Sequence, residues 1–252
     1  MSRGVLVTGA SAGLGRAVAQ AFAERGDRVA VHYNSNHTEA RRTVESLSGQ
    51  GHALIQGDVA TDARRIADAA EEALGGVDVL VNNAAVVTTT ENAHPVAGSD
   101  LGHWQQVWRH TVAVNLLGAA DVSYCVARHM IDRGAGGRIV NVGSRGAFRG
   151  EPDHPAYGAT KAALHSLGQS LAISLAPHGI AVASVAPGFI ATERVADWLT
   201  GDRGDALRAQ SPFGRVARPE EIAEAIVYLA GPGSSWASGA ILDLNGASYL
   251  RT

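Results

Sequence analysis

Two hydrophobic patterns alternate along the chain. Seven short runs are apolar on consecutive positions instead of on every second one: "GVLVT" (4–8), "RVAVHY" (28–33), "HALIQGD" (52–58), "VDVLVNNA" (77–84), "GRIVNVGS" (137–144), "IAVASVAPG" (180–188) and "GAILDLNG" (239–246). That pattern is expected of strands buried on both faces of a parallel sheet. The stretches between them carry helical spacing. In "LGRAVAQAFAERG" (14–26), Leu14, Val18, Ala21 and Phe22 form one stripe, and Gly26 supplies a C-terminal stop. "DARRIADAAEEALGG" (62–76) and "PEEIAEAIVYLAGPG" (219–233) read the same way. Strands alternating with helices predict right-handed βαβ crossovers and a doubly wound sheet of seven parallel strands flanked by helices. No internal repeat or low-complexity linker interrupts the pattern, so residues 1–252 read as a single α/β domain.

Composition narrows the function classes. With 46% hydrophobic and 18% charged residues, the chain has apolar surface for a large core and no signature of disorder. Lys plus Arg (21) against Asp plus Glu (24) gives a formal charge of −3. No stretch clusters the basic residues, so neither nucleic acid nor an anionic membrane is an expected partner. The longest apolar runs stop well short of the ~20 residues that span a bilayer. "MSRGVLVTGA" passes from strand to glycine too early to read as a signal peptide. Cys125 has no partner for an internal disulfide or a thiolate metal site, which suits a reducing, cytoplasmic setting. The ten histidines are scattered, with no His-Glu-x-x-His pair, and read as surface or packing residues; no metal is expected.

The first strand-to-helix junction carries the first candidate chemistry. "VLVTGASAGLGRAVAQ" runs from strand through Gly9, Gly13 and Gly15 into a helix. Gly9 permits a tight turn, Gly13 close approach of backbone to a pyrophosphate, and Gly15 close helix–strand packing. The helix that follows aims its free N–H groups and positive dipole end at the phosphates. The reading is a dinucleotide site whose loop includes Ser11 and Leu14.

A second junction is "PAYGATKAAL" (155–164), where Tyr157 and Lys161 lie one helical turn apart. A free phenol titrates near pH 10, and a neighbouring cation favours the phenolate and draws that value down. Tyr157 is thereby expected to act as a general acid or base near neutral pH.

Taken together, "TGASAGLG" (8–15), "NNAA" (82–85), Asn115 in "VNLLG", Ser144 and "YGATK" (157–161) resemble the short-chain dehydrogenase/reductase family, in motif style its 3-oxoacyl-(acyl-carrier-protein) reductases. "APG" (186–188) and "NG" (245–246) fall where that family has its cofactor-side loop and last strand, so the likeness spans nearly the whole chain. The resemblance implies a Rossmann-type fold and a catalytic set of Asn115, Ser144, Tyr157 and Lys161. In that scheme Tyr157 protonates a carbonyl oxygen or deprotonates an alcohol, and Ser144 hydrogen-bonds the same oxygen. Asn115 bends its helix and joins Lys161 to solvent through a water, while Lys161 also binds the nicotinamide ribose. Further cofactor contacts implied are Asp58 and Val59 beside the adenine, Asn83 and Ala84 on the ribose side, and Pro187, Gly188, Ile190 and Thr192 towards the nicotinamide carboxamide. Two positions depart from the family pattern. Ala12 stands where many NADP-binding relatives have a basic residue, and Ala85 replaces a usual glycine.

Cofactor choice is read at the end of the second strand. "HYNSNHTEA" places no carboxylate there; Asn34, Ser35 and Asn36 offer donors to a 2′-phosphate, with His37 nearby. NADP(H) is therefore expected over NAD(H). The substrate is a small carbonyl or alcohol, enclosed by a lid over 188–215 and by segments 88–106 and 145–155. Trp198 and Phe213 are candidates for an apolar lining or for core packing. Arg145 and Arg149 make no patch and read as solvated loop charges instead of a dock for an anionic carrier. The expected function is NADP(H)-dependent reduction of a 3-oxoacyl or related ketone to a secondary alcohol. An NAD-dependent sugar or secondary-alcohol dehydrogenase and a non-catalytic dinucleotide sensor are the alternatives. Small and apolar residues on several faces of the helices around 103–131 and 156–176 predict a homodimer or homotetramer.

Overall fold

The computed structural model describes residues 2–193 and 197–251; residues 194–196 of the expected lid lie outside them. In chain order the elements are β1 (Gly4–Val7), α1 (Gly13–Ala23), β2 (Arg28–Tyr33), α2 (His37–Glu45), β3 (Ala53–Gln56), α3 (Ala63–Leu74) and β4 (Val79–Asn82). There follow α4 (Leu101–Val112), a π-helical segment (Ala113–Gly118), α5 (Ala119–Arg133), β5 (Gly137–Val142), α6 (Gly146–Arg149) and α7 (Pro155–Leu175). The last are β6 (Ile180–Pro187), α8 (Gly201–Arg208), α9 (Pro219–Leu229) and β7 (Ile241–Leu244).

The seven strands form one sheet in the order β3-β2-β1-β4-β5-β6-β7. Every pairing is parallel, with Val5 opposite both Val29 and Val79. The consecutive apolar residues have a simple cause. In β1, Val5 and Val7 pack with α1 and α9 on one face, while Leu6 packs with α3 and α5 on the other. In β4, Val79 and Val81 face the first layer and Leu80 the second. The stripe predicted for α1 is buried: Val18 and Phe22 have no exposed surface, and Leu14 and Ala21 keep 9% and 7%. Emptying the Phe22 site would cost about 3–5 kcal/mol, the usual range for a large buried aromatic.

β1 lies between β2 and β4, so the crossovers run in opposite directions from it. That reversal opens a crevice at the carboxyl ends of the strands, the place where open parallel sheets bind ligands. None of the helices among the described residues is long and apolar enough to cross a membrane.

Candidate active site

The glycine loop leaves β1 through two positive-φ residues, Gly9 (+65°) and Gly13 (+54°). Gly15 serves packing instead: a Cβ there would lie 2.3 Å from the Gly9 carbonyl oxygen. The loop is pinned by His32, which the structure buries at the end of β2. The Gly9 amide donates to His32 Nδ1 at 3.1 Å, and His32 Nε2 faces the Gly57 carbonyl at 3.0 Å. A neutral ring with its proton on Nε2 satisfies both partners. Burial accordingly draws the His32 pKa down to about 4. Thr8 and Asn83 tie the same corner to β4. Thr8 Oγ1 accepts from the Asn83 and Ala84 amides at 2.9 and 3.0 Å, and Asn83 Nδ2 donates to the Thr8 and Gly9 carbonyls. The Asn83 side chain thus shapes the cradle.

Three features of this corner fit a dinucleotide. No side chain caps α1, so the first-turn amides of Gly13, Leu14 and Gly15 keep no side-chain acceptor. A Cβ at Gly13 would lie 3.2 Å from Thr192 Cγ2, so the loop after β6 closes over the glycine turn. Ile190 pairs with Ala217, and the Gly188 amide donates to the Leu244 carbonyl, anchoring that loop at both ends. Towards the adenine side, Asp58 Oδ1 accepts from the Ala60 amide at 2.9 Å, and Val59 is buried against Gly118.

At the end of β2, Asn34, Ser35 and Asn36 are exposed, and Asn36 Oδ1 caps α2 by accepting from the Glu39 amide. His37 Nδ1 sits 2.6 Å from the Tyr33 hydroxyl. The sequence reading missed Arg16. Its guanidinium crosses from α1 to Glu39 (2.7 Å) and also donates to the Ser11 carbonyl and Thr43 Oγ1. The hydrogen bond from Arg16, ahead of the Arg42 charge, holds Glu39 below the usual carboxylate range. No local spacing announces this bay, because it forms only when α2 packs beside α1.

Asn115, Ser144, Tyr157 and Lys161 converge where β4 and β5 end. Asn115 is buried in the π-helical segment, an irregularity common where a helix turns a side chain towards function. Its Oδ1 accepts from the Val86 amide at 2.7 Å, and its Nδ2 reaches towards Thr160 Oγ1 at 3.4 Å. Lys161, 3% exposed, donates through Nζ to the Val142 carbonyl at 2.8 Å. Burial brings its pKa down to about 8. The Ser144 hydroxyl accepts from the Gly146 amide at 3.0 Å.

The electrostatics differ from the expectation that Lys161 lowers the phenol. Burial raises the Tyr157 pKa, a hydrogen bond with Ser144 pulls it down by less, and the Glu151 charge raises it further. The Lys161 ammonium nitrogen lies 5.6 Å from the centroid of the Tyr157 ring, over its face. In the protein by itself burial sets the direction of the Tyr157 shift.

Histidines contribute more than the sequence suggested. His94 is buried and accepts the Ala156 amide on Nε2 at 3.1 Å, which caps the helix carrying Tyr157. His165, one turn beyond Lys161, stacks on Phe148 at 5.3 Å and fills the space above Gly143, where a Cβ would lie 2.1 Å from its ring. Burial lowers it to about 4. Val86, Asn92, His94, Thr111, His154 and Tyr157 line a small cavity on the substrate side. Phe213 is 74% exposed, and Trp198 carries the Arg203 guanidinium 3.9 Å above its ring. Arg145, expected to be solvated, is 4% exposed. Its amide donates to the Pro187 carbonyl, which draws the side chain inward beside β6, whereas Arg149 stays exposed.

Comparison with known proteins bears on this geometry. Residues 9–246 match the family model described as enoyl-(acyl carrier protein) reductase. The L-rhamnose 1-dehydrogenase (NAD(P)(+)) of Sphingomonas sp. (strain SKA58) is 38% identical over 98% of this chain and 96% of its own. The 3-oxoacyl-(acyl-carrier-protein) reductase of Vibrio cholerae is 34% identical over 97% of this chain and 96% of its own. The crystal structure of acetoin dehydrogenase from Enterobacter cloacae superposes with a TM-score of 0.86 at 31% identity, covering 98% of this chain and 96% of that one.

Proposed function

The chain belongs to the short-chain dehydrogenase/reductase family, an oxidoreductase of alcohol and carbonyl substrates with NAD(P), and from that premise we propose an NADP(H)-dependent interconversion of a ketone and a secondary alcohol with Tyr157 as the proton-transferring group. The observation that carries this reading is the convergence of Tyr157, Ser144, Lys161 and Asn115 at one end of the sheet. The nicotinamide, when bound, supplies or receives hydride at its C4. The glycine loop, Thr192, and the segment from Pro187 to Ile190 hold it, with Asp58, Val59, Asn83 and Ala84 around the adenosine. Ser144 hydrogen-bonds the substrate oxygen, and Tyr157 gives it a proton in reduction or removes one in oxidation. Lys161 presents positive charge to the phenol ring from beneath. Asn115, through Val86 and Thr160, holds the relay that restores the proton.

Two observations favour NADP(H). No carboxylate stands at residues 34–36, and the nearest, Glu39, is engaged by Arg16 and Arg42. The rhamnose dehydrogenase relative is named for both cofactors, so the preference needs direct measurement. Oxidation of NADPH and NADH by the purified protein against neutral ketones, 3-oxo acids and ketoses decides the reaction, with Tyr157→Phe as the control. Absence of turnover with all of them would overturn the reading.

Assembly and location follow from surface and composition. Leu117 (53% exposed), Tyr124 (61%) and Ile173 (80%) form an apolar outer face on the helices from 113 to 175, which suits a two-fold dimer, and Tyr228 and Trp236 offer a second face for a tetramer. The unpaired Cys125 suits the cytoplasm. Light scattering that finds only monomer at micromolar concentration would contradict the assembly.

A further inference from the structure

Arg145 follows Ser144 directly and is 4% exposed, yet among the described residues it forms an ion pair with no carboxylate. Its partners are neutral. Nη1 donates to Ser248 Oγ, Nη2 donates to Gln210 Oε1, and the guanidinium carbon lies 5.0 Å from the centre of the Phe189 ring. Arg149 Nη1 donates to the same Gln210 oxygen at 3.3 Å. One amide oxygen therefore sits between two guanidiniums, a place where electrostatics favour an anionic oxygen. A buried arginine is ordinarily matched by a carboxylate, because desolvating a lone cation is costly. Burial, with the Arg149 charge, brings Arg145 down to about 10. Glu151 acts on it only as a nearby charge without pairing.

The location matters as much as the charge. Arg145 leaves the loop that carries Ser144 and joins it to Phe189 and Gln210 of the expected lid and to the C-terminal tail at Ser248. We propose that Arg145 is the anion-recognition residue of this site and that the natural substrate is a small oxo or hydroxy acid, whose carboxylate displaces the Gln210 amide oxygen. This rests on the alcohol–ketone reading above and deepens it. A guanidinium offers two parallel N–H donors that match the two oxygens of a carboxylate, and here one of them is held by the neutral Gln210 oxygen, which a carboxylate can displace. Arg149, exposed at the rim, contributes charge.

The test pairs acids with their methyl esters: 3-oxobutanoate and 4-oxopentanoate, each against its ester, with the preferred nicotinamide cofactor. The wild-type protein should favour the acid of at least one pair by tenfold or more in kcat/KM. Arg145→Gln should collapse that acid-to-ester ratio towards one, chiefly through KM for the acid, and Arg145→Lys should keep part of it. Gln210→Glu supplies the missing carboxylate from within. It should raise Tm and lower the same ratio at least tenfold, whereas a purely structural Arg145 would let Tm rise with the ratio unchanged. A wild-type preference for both esters, or an unchanged ratio in Arg145→Gln and Gln210→Glu, overturns the proposal. Turnover of neither acid, ester nor neutral ketone would instead overturn the alcohol–ketone reading on which it stands.

Discussion

The two sides of the crevice are built by different means. On the cofactor side, Thr8, His32 and Asn83 bond to main-chain atoms of the glycine loop and of the strands beside it. Sheet register therefore sets that geometry, and almost every group is in place once β1, β2 and β4 pair. On the substrate side several contacts also join side chains of segments far apart in sequence. Arg145 reaches Gln210 and Ser248, Arg251 lies over the Phe148 ring, and the Tyr249 hydroxyl donates to the Phe148 carbonyl. Side chains bonded to backbone hold a geometry that strand pairing already sets, while contacts between two side chains change when either one is substituted.

The largest effect should come from the junction of the two sides. Tyr157→Phe is expected to lower kcat by a factor of ~10²–10⁴ while NADPH binding changes little, as loss of a general acid requires. Cofactor titration by fluorescence together with steady-state rates checks it, and turnover close to wild type would remove Tyr157 from the mechanism. Next, Ser35→Glu alters only the cofactor side. It should turn the preference between NADPH and NADH towards NADH by tenfold or more, since like charges repel the 2′-phosphate, and should leave the order of preference among ketones unchanged. A change in ketone order would break the separation drawn above.

A third effect is read in pH. On the reaction proposed above, reduction draws on the Tyr157 proton, which a raised pKa retains, and on the Lys161 charge, which is lost as pH rises through about 8. The reduction rate should be level near pH 7 and decline on passing pH 8, and a rate constant to pH 10 would exclude a role for the charge. Stability should respond on the acid side. His32 and His165 are held near 4, below the ~6.5 of an unfolded histidine, so the unfolded chain gains protons that the folded one refuses. Tm should be steady above pH 7 and fall between about pH 6.5 and 4, and His165→Phe should flatten part of that slope. The smallest effect concerns opening. Amides of 197–215, joined mainly through side chains, should exchange faster than those of β1 and β2, with equal rates contradicting the comparison.

The order of strands and helices was written in local patterns. Consecutive apolar residues in β1 and β4 meant burial on two faces, and Gly9 and Gly13 marked a turn that only positive φ allows. Tyr157 and Lys161 were legible because helical spacing puts them on one face whatever surrounds that helix. Properties that depend on the surroundings were not legible. The direction of the Tyr157 shift depends on how deeply α7 is packed, and burial is its largest cause. Arg16 meets Glu39 only because α1 and α2 lie side by side, and His94 caps α7 from a loop 62 residues away from Ala156. Arg145 looked like any loop arginine until the fold set its amide on the Pro187 carbonyl and its side chain beside Phe189 and Gln210. Periodicity and φ preference are properties of neighbours along the chain, so sequence carries them directly; the state of a charge depends on every atom within several ångströms, and only the folded chain assembles those.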